Sequence, residues 1–407
     1  MSYDARSLAD CQRHVWDSVH RWMREALTQL LQAFMEHERD CMLAAAPYQR
    51  TGTRRGWRNG YDPRWLSTGF GLVKLRRPKV RACHQPLRTQ VFDRYQRRTL
   101  QVEDCIRHWV AGGLATRNAS AALSHAFGID LSASGVSNVM ARLDQEIRSF
   151  HNRPLSHGYR YVFLDGKWGY TCHRRLRRGR GKKRQAVLLI AWGIRHDGRE
   201  ELIDFTVADR ESESSWTAFL TDLERRGLKV RNPWNQTLDL LITDGDAGLL
   251  SALYMVYPDT PKQRCIFHRL QDLTDHLRDR SRRKAMLSEA AAIYKDLQSR
   301  AQARRRLERW IEHWQEREPD AVRAFSYDFE QSLTYLNAPP QWRSRLKTTN
   351  PIERFIRELD RKFQRVGIFP SSASWERCTW AVWTELKTNG YAPTQPPPHQ
   401  NPSTRTT

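Results

Sequence analysis

Three observations predict an α/β protein in which a ribonuclease H-like core follows a basic, helical N-terminal region. From Tyr159 onward, short apolar runs and amphipathic segments alternate in the order strand, two hairpin strands, helix, strand, helix, strand, helix. Residues 270–335 then read as almost unbroken helix, an all-helical insertion after which the core resumes. Finally, 68 Lys and Arg face 45 Asp and Glu, a formal charge of +23 on 407 residues, which predicts a polyanionic partner.

That length has room for two or three domains. The apolar fraction, 39%, is below the globular norm of roughly 45–50%, but it falls in periodic blocks, as in a folded protein with a polar surface. No apolar run reaches the roughly 18–20 residues of a membrane span. The first ten residues hold acids and no apolar stretch, so neither a membrane partner nor a leader is expected. The seven cysteines (Cys11, Cys41, Cys83, Cys105, Cys172, Cys265, Cys378) are scattered and form no CxxC pair. That pattern points to a reducing, cytoplasmic setting rather than a disulfide framework or zinc ribbon. Neither GxxxxGK(S/T) nor GxGxxG occurs, so no nucleotide-binding loop is expected.

The first segment, residues 1–48, is dominated by an amphipathic helix over 12–42. Val15, Val19, Trp22, Met23, Ala26, Leu27, Leu30 and Phe34 recur at three- and four-residue spacings. This stripe can pack on the rest of the chain or on a second copy, and packing on the chain is the preferred reading. Residues 49–100 form a basic, β-rich segment. Positions 50–98 hold fourteen Lys or Arg against Asp62 and Asp93, with Trp57, Tyr61, Trp65 and Phe70 interleaved. Leu72-Val73-Lys74-Leu75 reads as a short strand. Such a segment can be a solvated linker, but basic density among aromatics and glycines suits a DNA-backbone contact. It singles out Arg54, Arg55, Arg58, Arg76, Arg77 and Lys79.

Residues 101–150 predict three helices: one over 102–110, one over 116–127 capped by Thr116, and one opening at Ser132, with Gly128 at the turn. Helix, glycine turn, helix is the helix-turn-helix pattern. It would put Ser134, Ser137, Asn138 and Arg142 on the exposed face of a groove-entering helix.

The first part of the core covers 158–270. Tyr161-Val162-Phe163-Leu164 reads as a strand ending at Asp165. A basic insert over 174–184 carries eight basic residues and no acid, and contributes Arg175, Arg178, Lys182 and Lys183 as DNA contacts. Strands at 186–194 and 202–207 flank the turn His196-Asp197-Gly198. A helix over 212–226, a strand over 238–243 ending at Asp244, a helix over 249–256 and a strand over 263–267 follow. The helical insertion spans 271–345. Helices opening at Asn350 and running over 375–386 complete the core within 346–390, and the tail, 391–407, has a disordered composition.

Two-metal chemistry in such a core needs acids at adjacent strand ends, because two Mg²⁺ ions must be clamped a few ångströms apart. Asp165 ends the first strand and Asp244 the fourth, which would be neighbours in a sheet of this order. Each is followed by glycine, which would let the backbone turn away. Asp-Gly after a strand is also an ordinary turn signal, but two of them at matched strand ends in a basic protein favour metal binding. Asp246, past the strand, suits a helix cap better. Cys265 and His268 form a CxxH pair without a second pair at zinc-site spacing, so they are read as structural or as neighbours of the metal site rather than as zinc ligands.

Four motifs together resemble the Mutator-type transposase family, in its bacterial insertion-sequence branch. They are Arg54-Arg55-Gly56-Trp57-Arg58-Asn59-Gly60-Tyr61 with the following Thr68 to Leu75 run, Gln263-Arg264-Cys265-Ile266-Phe267-His268, Asn350-Pro351-Ile352-Glu353-Arg354, and Gly367-Ile368-Phe369-Pro370. The resemblance spans roughly residues 15–388. It implies a DDE enzyme, with Asp165, Asp244 and Glu353 as catalytic and metal-binding residues and a helical insertion before the Glu. It further implies two Mg²⁺ ions, with Mn²⁺ as substitute, double-stranded DNA as partner (terminal inverted repeats and target), and a homodimer or higher oligomer on DNA. From the residues alone, Glu353 reads equally well as the third member of a capping box begun by Asn350. Glu358 and Asp360 are the fallback acids. Gln271-Asp272 stand where the family has a basic residue and Asn, and the basic insert is heavier than usual. The rival readings are a structure-specific nuclease or resolvase on the same core, and a non-enzymatic DNA-binding protein derived from a transposase.

Overall fold

A computed structural model describes residues 5–111, 114–155, 158–173, 182–229 and 238–388. The chain divides into two compact units, residues 1–142 and 143–407.

The first unit opens with α1 (Ala5–Leu43). Its apolar stripe is not the packing face: Val15, Trp22, Leu30 and Phe34 remain exposed. Packing uses the last third of the helix instead, where Met35 and Leu31 meet Leu66, Val73, Leu75 and Phe92. Those partners belong to a hairpin longer than the short strand expected, β1 (Trp57–Thr68) and β2 (Gly71–Arg81). Alternation along β2 buries Val73 and Leu75 and leaves Lys74 and Arg76 outward, the period-two pattern of a half-buried strand. Gln32 on α1 exchanges two 2.9 Å hydrogen bonds with the Arg76 backbone and so fixes the helix on the strand edge.

Three helices follow, α2 (Leu100–Ala111), α3 (Thr116–Phe127) and α4 (Ala133–Ala141). Gly128 takes a left-handed φ of 61° between the last two, and the Ser132 hydroxyl accepts from the Gly135 N–H to cap α4. Thr116 does not cap α3. Ala115 holds that position, without a side-chain bond.

The second unit begins at α5 (Leu143–His151), eight residues before the expected boundary. Its Asp144 carboxylate takes both a 2.6 Å and a 2.7 Å bond from Arg377, which ties the helix to this unit. Five strands form one sheet: β3 (Tyr159–His173), β4 (Lys182–Arg195), β5 (Glu200–Ala208), β6 (Leu240–Thr243) and β7 (Lys262–Arg264), in the order β5-β4-β3-β6-β7. The first three run antiparallel, and β6 and β7 lie parallel to β3.

Side-chain alternation gives the sheet two cores. Val162, Leu164, Leu189 and Ala191 pack on α6 (Glu213–Arg225) and α7 (Ala247–Val256). The intervening residues, Tyr161, Phe163, Ile190 and Trp192, face the other way. They share a core with the insertion and the last two helices. The insertion comprises α8 (Ile266–Asp275), α9 (Arg283–Ile293), α10 (Arg300–Trp314), α11 (Pro319–Ser326), a 3-10 segment (Phe329–Asn337) and α12 (Pro340–Leu346). The chain then returns through α13 (Asn350–Val366) and α14 (Ser372–Thr388). Arg175, Arg178 and the tail 391–407 lie outside the described residues, as does the side chain of Lys182. Among the described residues, no helix is long and apolar enough to cross a membrane.

Candidate active site

The parallel pairing of β3 with β6 runs from Tyr161–Leu240 to Leu164–Thr243. One residue further along each chain stand Asp165 and Asp244. The two acids are brought together as expected, but by different routes. β6 does stop at Thr243, and Gly245 (φ +99°) turns the chain away. β3 does not stop: Asp165 pairs with Ile190 and Gly166 with Leu189, and the strand continues to His173. Gly166 is therefore no turn residue. What its missing side chain provides is room: a Cβ there would lie 2.3 Å from Glu211 Oε1.

Asp165 is 7% exposed. Burial, reinforced by the neighbouring Asp244 charge, pushes its carboxyl up to about 7. Asp244 is raised as well, by burial above all, although its Oδ1 accepts the Asp246 N–H at 3.0 Å. Asp246 itself caps α7 through the Leu249 N–H at 2.9 Å. Glu211, just ahead of the Ser212 cap of α6, is pushed up to about 7 by burial and by the charges of Asp244 and Asp246. Among the described residues, Asp165, Asp244 and Glu211 form no ion pair. The cation acting most strongly on both aspartates is His268.

His268 lies on α8, which takes over the second half of the strand expected over 263–267. β7 ends at Arg264, and Cys265 caps the helix with its N–H on the Thr243 carbonyl at 2.7 Å. The CxxH spacing thus puts both side chains on the first helical turn, three residues apart on one face. Burial works against the charged imidazole. The Cys265 hydrogen bond and the charges of Cys265, Asp165 and Asp244 outweigh it and push His268 up to about 9, and the same bond lowers the Cys265 thiol against its own burial.

Glu353 reaches this cluster from α13. Cys265 Sγ, a His268 ring nitrogen and a Glu353 carboxylate oxygen all lie within 4.8 Å of one another. Thr349 links them: its hydroxyl donates to Glu353 Oε1 at 2.8 Å and contacts Cys265 Sγ at 3.5 Å. The expected capping box is absent. Thr349 precedes the helix in place of Asn350, so Glu353 is its fourth residue and its side chain bonds the Thr349 hydroxyl. The fallback acids are occupied elsewhere, Glu358 by Arg361 at 3.0 Å and Asp360 by Lys167 at 2.7 Å.

The basic candidates divide. Arg58 is held by Asp40 at 2.7 Å, and Arg77 and Lys79 share Asp62 at 2.8 and 2.9 Å. Arg142 does not extend a reading face: it ends α4 and binds the buried Glu103 at 2.5 Å. Ser134, Ser137 and Asn138 are exposed on α4. Arg54 lies over Trp57 at 4.5 Å, Arg76 over Tyr61 at 4.5 Å and Lys183 over Tyr170 at 3.5 Å, and Arg55 is exposed. A cleft of about 770 Å³ beside β2 is lined by Arg77, Lys79, Arg88 and Arg94.

Sequence reasoning missed Glu211 and Thr349. Neither lies in a strand-end or Asp-Gly pattern, and only the folded chain brings them to the acids.

Residues 3–391 match the family model described as "Transposase, Mutator family". A transposase for insertion sequence element ISRM5 from Rhizobium meliloti is 34% identical over 90% of this chain and 88% of its own length. One for IS406 from Burkholderia multivorans is 32% identical over 89% of each chain. Among solved structures, the Drosophila P element transposase strand transfer complex matches 71% of this chain and 80% of its own at 10% identity and a TM-score of 0.30. That likeness is too distant to carry an argument.

Proposed function

Because this chain belongs to the Mutator family of transposases, we propose that it is the DDE enzyme of an insertion sequence, cutting and joining DNA with Asp165, Asp244 and Glu353 on a ribonuclease H-like core. The observation that carries this reading is the placement of Asp165 and Asp244 at equivalent positions along two parallel neighbouring strands, Asp165 buried and Asp244 half-buried, neither with an ion-pair partner among the described residues. The sheet order, three antiparallel strands followed by two parallel ones, supports the core assignment.

Mg²⁺ fits the donors present. They are hard carboxylate oxygens, and the buried negative charge lacks a salt-bridge partner. Asp165, Asp244 and Glu353 would hold the ions, with Mn²⁺ as substitute. Bound there, the two ions would activate the attacking hydroxyl and stabilise the departing 3′ oxygen. The chain's own residues prepare that site. The Asp246 N–H orients Asp244, and Thr349 orients Glu353. The His268 imidazolium partly offsets the acids before metal arrives and gives α8 a fixed charge beside the phosphate. The first unit would read terminal inverted repeats through α3 and α4 and hold the DNA backbone along β1 and β2. Joining two ends requires at least a dimer. The setting is the cytoplasm.

The test is a duplex carrying the element's terminal repeat, incubated with the full-length protein and Mg²⁺. Cleavage at the repeat and joining to a second duplex are expected. Cleavage that persists in EDTA, or that ignores the repeat sequence, overturns the proposal.

A further inference from the structure

We infer that Cys265, His268 and Glu353 form a binding site for a thiophilic divalent cation of the zinc class, separate from the Mg²⁺ site proposed above but drawing on the same glutamate. The site stands on its own geometry; its effect on cleavage rests on the reading of Glu353 as a Mg²⁺ ligand.

The CxxH pair alone offers two donors at the start of α8, too few for zinc. The fold supplies the third from α13. One donor atom from each of Cys265, His268 and Glu353 lies within 4.8 Å of the other two, and among the described residues no trio that includes Asp165 or Asp244 is so close. Donors around a tetrahedral zinc ion stand about 3.3–3.7 Å apart, which leaves each pair at most about 1.5 Å to close. The mixture of donors selects the ion. Thiolate sulfur and imidazole nitrogen suit zinc, whereas Mg²⁺ prefers oxygen alone. Three protein donors leave a fourth position for water, as in an open zinc site.

The surroundings hold the donors in place. The Cys265 N–H is fixed on the Thr243 carbonyl at 2.7 Å. Its sulfur accepts the Thr349 N–H at 3.4 Å, and the Thr349 hydroxyl donates to Glu353 Oε1 at 2.8 Å. Such outer bonds orient metal ligands and steady a thiolate. Beyond the Cys265 thiol, His268 Nδ1 has no hydrogen-bond partner and is shielded from solvent, so an ion would take up a nitrogen otherwise unused. Binding expels the thiol proton and leaves the imidazole neutral. Cys378, the other buried cysteine, has no such trio around it among the described residues. Zn²⁺ seated here occupies Glu353 and withholds it from Mg²⁺.

Co²⁺ serves as the probe, because cobalt bound to a thiolate absorbs in the near ultraviolet. Titrated into the reduced full-length protein without DNA, it is expected to give a sulfur-to-cobalt band that equimolar Zn²⁺ bleaches. Cys265→Ser should abolish that band and weaken calorimetric Zn²⁺ binding tenfold or more, whereas Asp165→Asn should keep the band. Any signal from the exposed Cys41, 3.4 Å from His37, is common to all these proteins. A difference spectrum between wild type and Cys265→Ser without a sulfur band overturns the inference. If circular dichroism shows Cys265→Ser misfolded, Glu353→Gln decides, since it keeps the thiol: a tenfold loss of Zn²⁺ affinity upholds the site, and an unchanged affinity overturns it. Zn²⁺ should also inhibit Mg²⁺-dependent cleavage of the terminal repeat. A protein whose band depends on Cys265 but whose cleavage ignores Zn²⁺ keeps this metal site and removes Glu353 from the catalytic centre.

Discussion

In the first unit, Asp40, Asp62 and Glu103 each hold an Arg or Lys within 2.9 Å, whereas in the second Asp165, Asp244 and Glu211 hold none. Both regions carry charges that the fold has partly removed from water. In the first they arrive as pairs, so the energy of each is balanced within the chain, and the pairs serve to hold α1 on the hairpin and α2 beside α4. In the second no Arg or Lys answers the acids, and burial with the neighbouring like charges pushes the Asp165 and Glu211 carboxyls up to about 7. The difference separates charges that the fold pairs with an opposite charge from charges that it does not, a distinction composition cannot make. It also separates the arginines: Arg58, Arg77 and Arg142 have acid partners, and Arg54, Arg55 and Arg76 present their charge over aromatic rings or to solvent.

The sharpest way to break this contrast is to neutralise the unpaired acids. Asp165→Asn and Asp244→Asn should each lower Mg²⁺-dependent cleavage at least about 10³-fold, roughly 4 kcal/mol in barrier, with folding and DNA binding retained by circular dichroism and gel shift. Glu353→Gln should do the same, because Gln keeps a partner for the Thr349 hydroxyl but is a poor metal ligand. A Glu353→Gln enzyme within about tenfold of wild type, roughly 1.4 kcal/mol, would assign Glu353 to holding α13 alone.

On the paired side, Arg142→Ala should lower stability by about 1–3 kcal/mol, because it strands the Glu103 carboxylate in the interior. Arg98, 3.7 Å away, offsets part of the loss. A denaturant midpoint equal to wild type, with sequence preference blurred, would return Arg142 to the reading face.

The unpaired side also has a signature in pH. The folded-state pKa of Asp165 is raised from its ordinary value of 3.8 to about 7, so its protonated form favours folding. Its contribution is complete below about pH 4 and is lost as pH rises through about 7. In EDTA, the melting temperature of Asp165→Asn relative to wild type should therefore climb between those pH values and level off above. Saturating Ca²⁺ should cancel the gain by stabilising the wild type. A pH-independent difference would contradict the buried, unpaired state of Asp165. The smallest effect belongs to an exposed pair. Arg77→Ala should leave the melting temperature unchanged in a thermal scan, because Lys79 still holds Asp62 at 2.9 Å.

The sheet was largely legible. Four of the five strands carry an apolar run of their own, β7 (Lys-Gln-Arg) being the exception, and Asp165 and Asp244 stand out because they follow two of those runs. The misreadings share a cause. Where Asp165-Gly166 looked like a strand end, β4 supplied a partner that carried β3 onward to His173, and a partner strand is invisible in a local window. On α1 the apolar stripe was real, but the hairpin took the adjacent face with Met35 and left Trp22 and Phe34 outside. Local pattern names the residues that want burial, and tertiary contact decides which of them obtain it. Thr349 was beyond reach for the same reason, since it meets Cys265 only in the folded chain.

The insertion leaves the core and returns to it at one point. The Ile266 N–H bonds the Lys347 carbonyl at 3.0 Å, and the Thr349 N–H reaches Cys265 Sγ at 3.4 Å. A segment closed at its base can change length at its far end without moving what lies beyond the closure, and each doubling of a flexible loop adds only about 0.6 kcal/mol of closure cost. Residues added at the turn between α9 and α10, around Asp296, would therefore leave Glu353 where it is. The number of residues separating Asp244 from Glu353 is therefore not fixed by the placement of either residue.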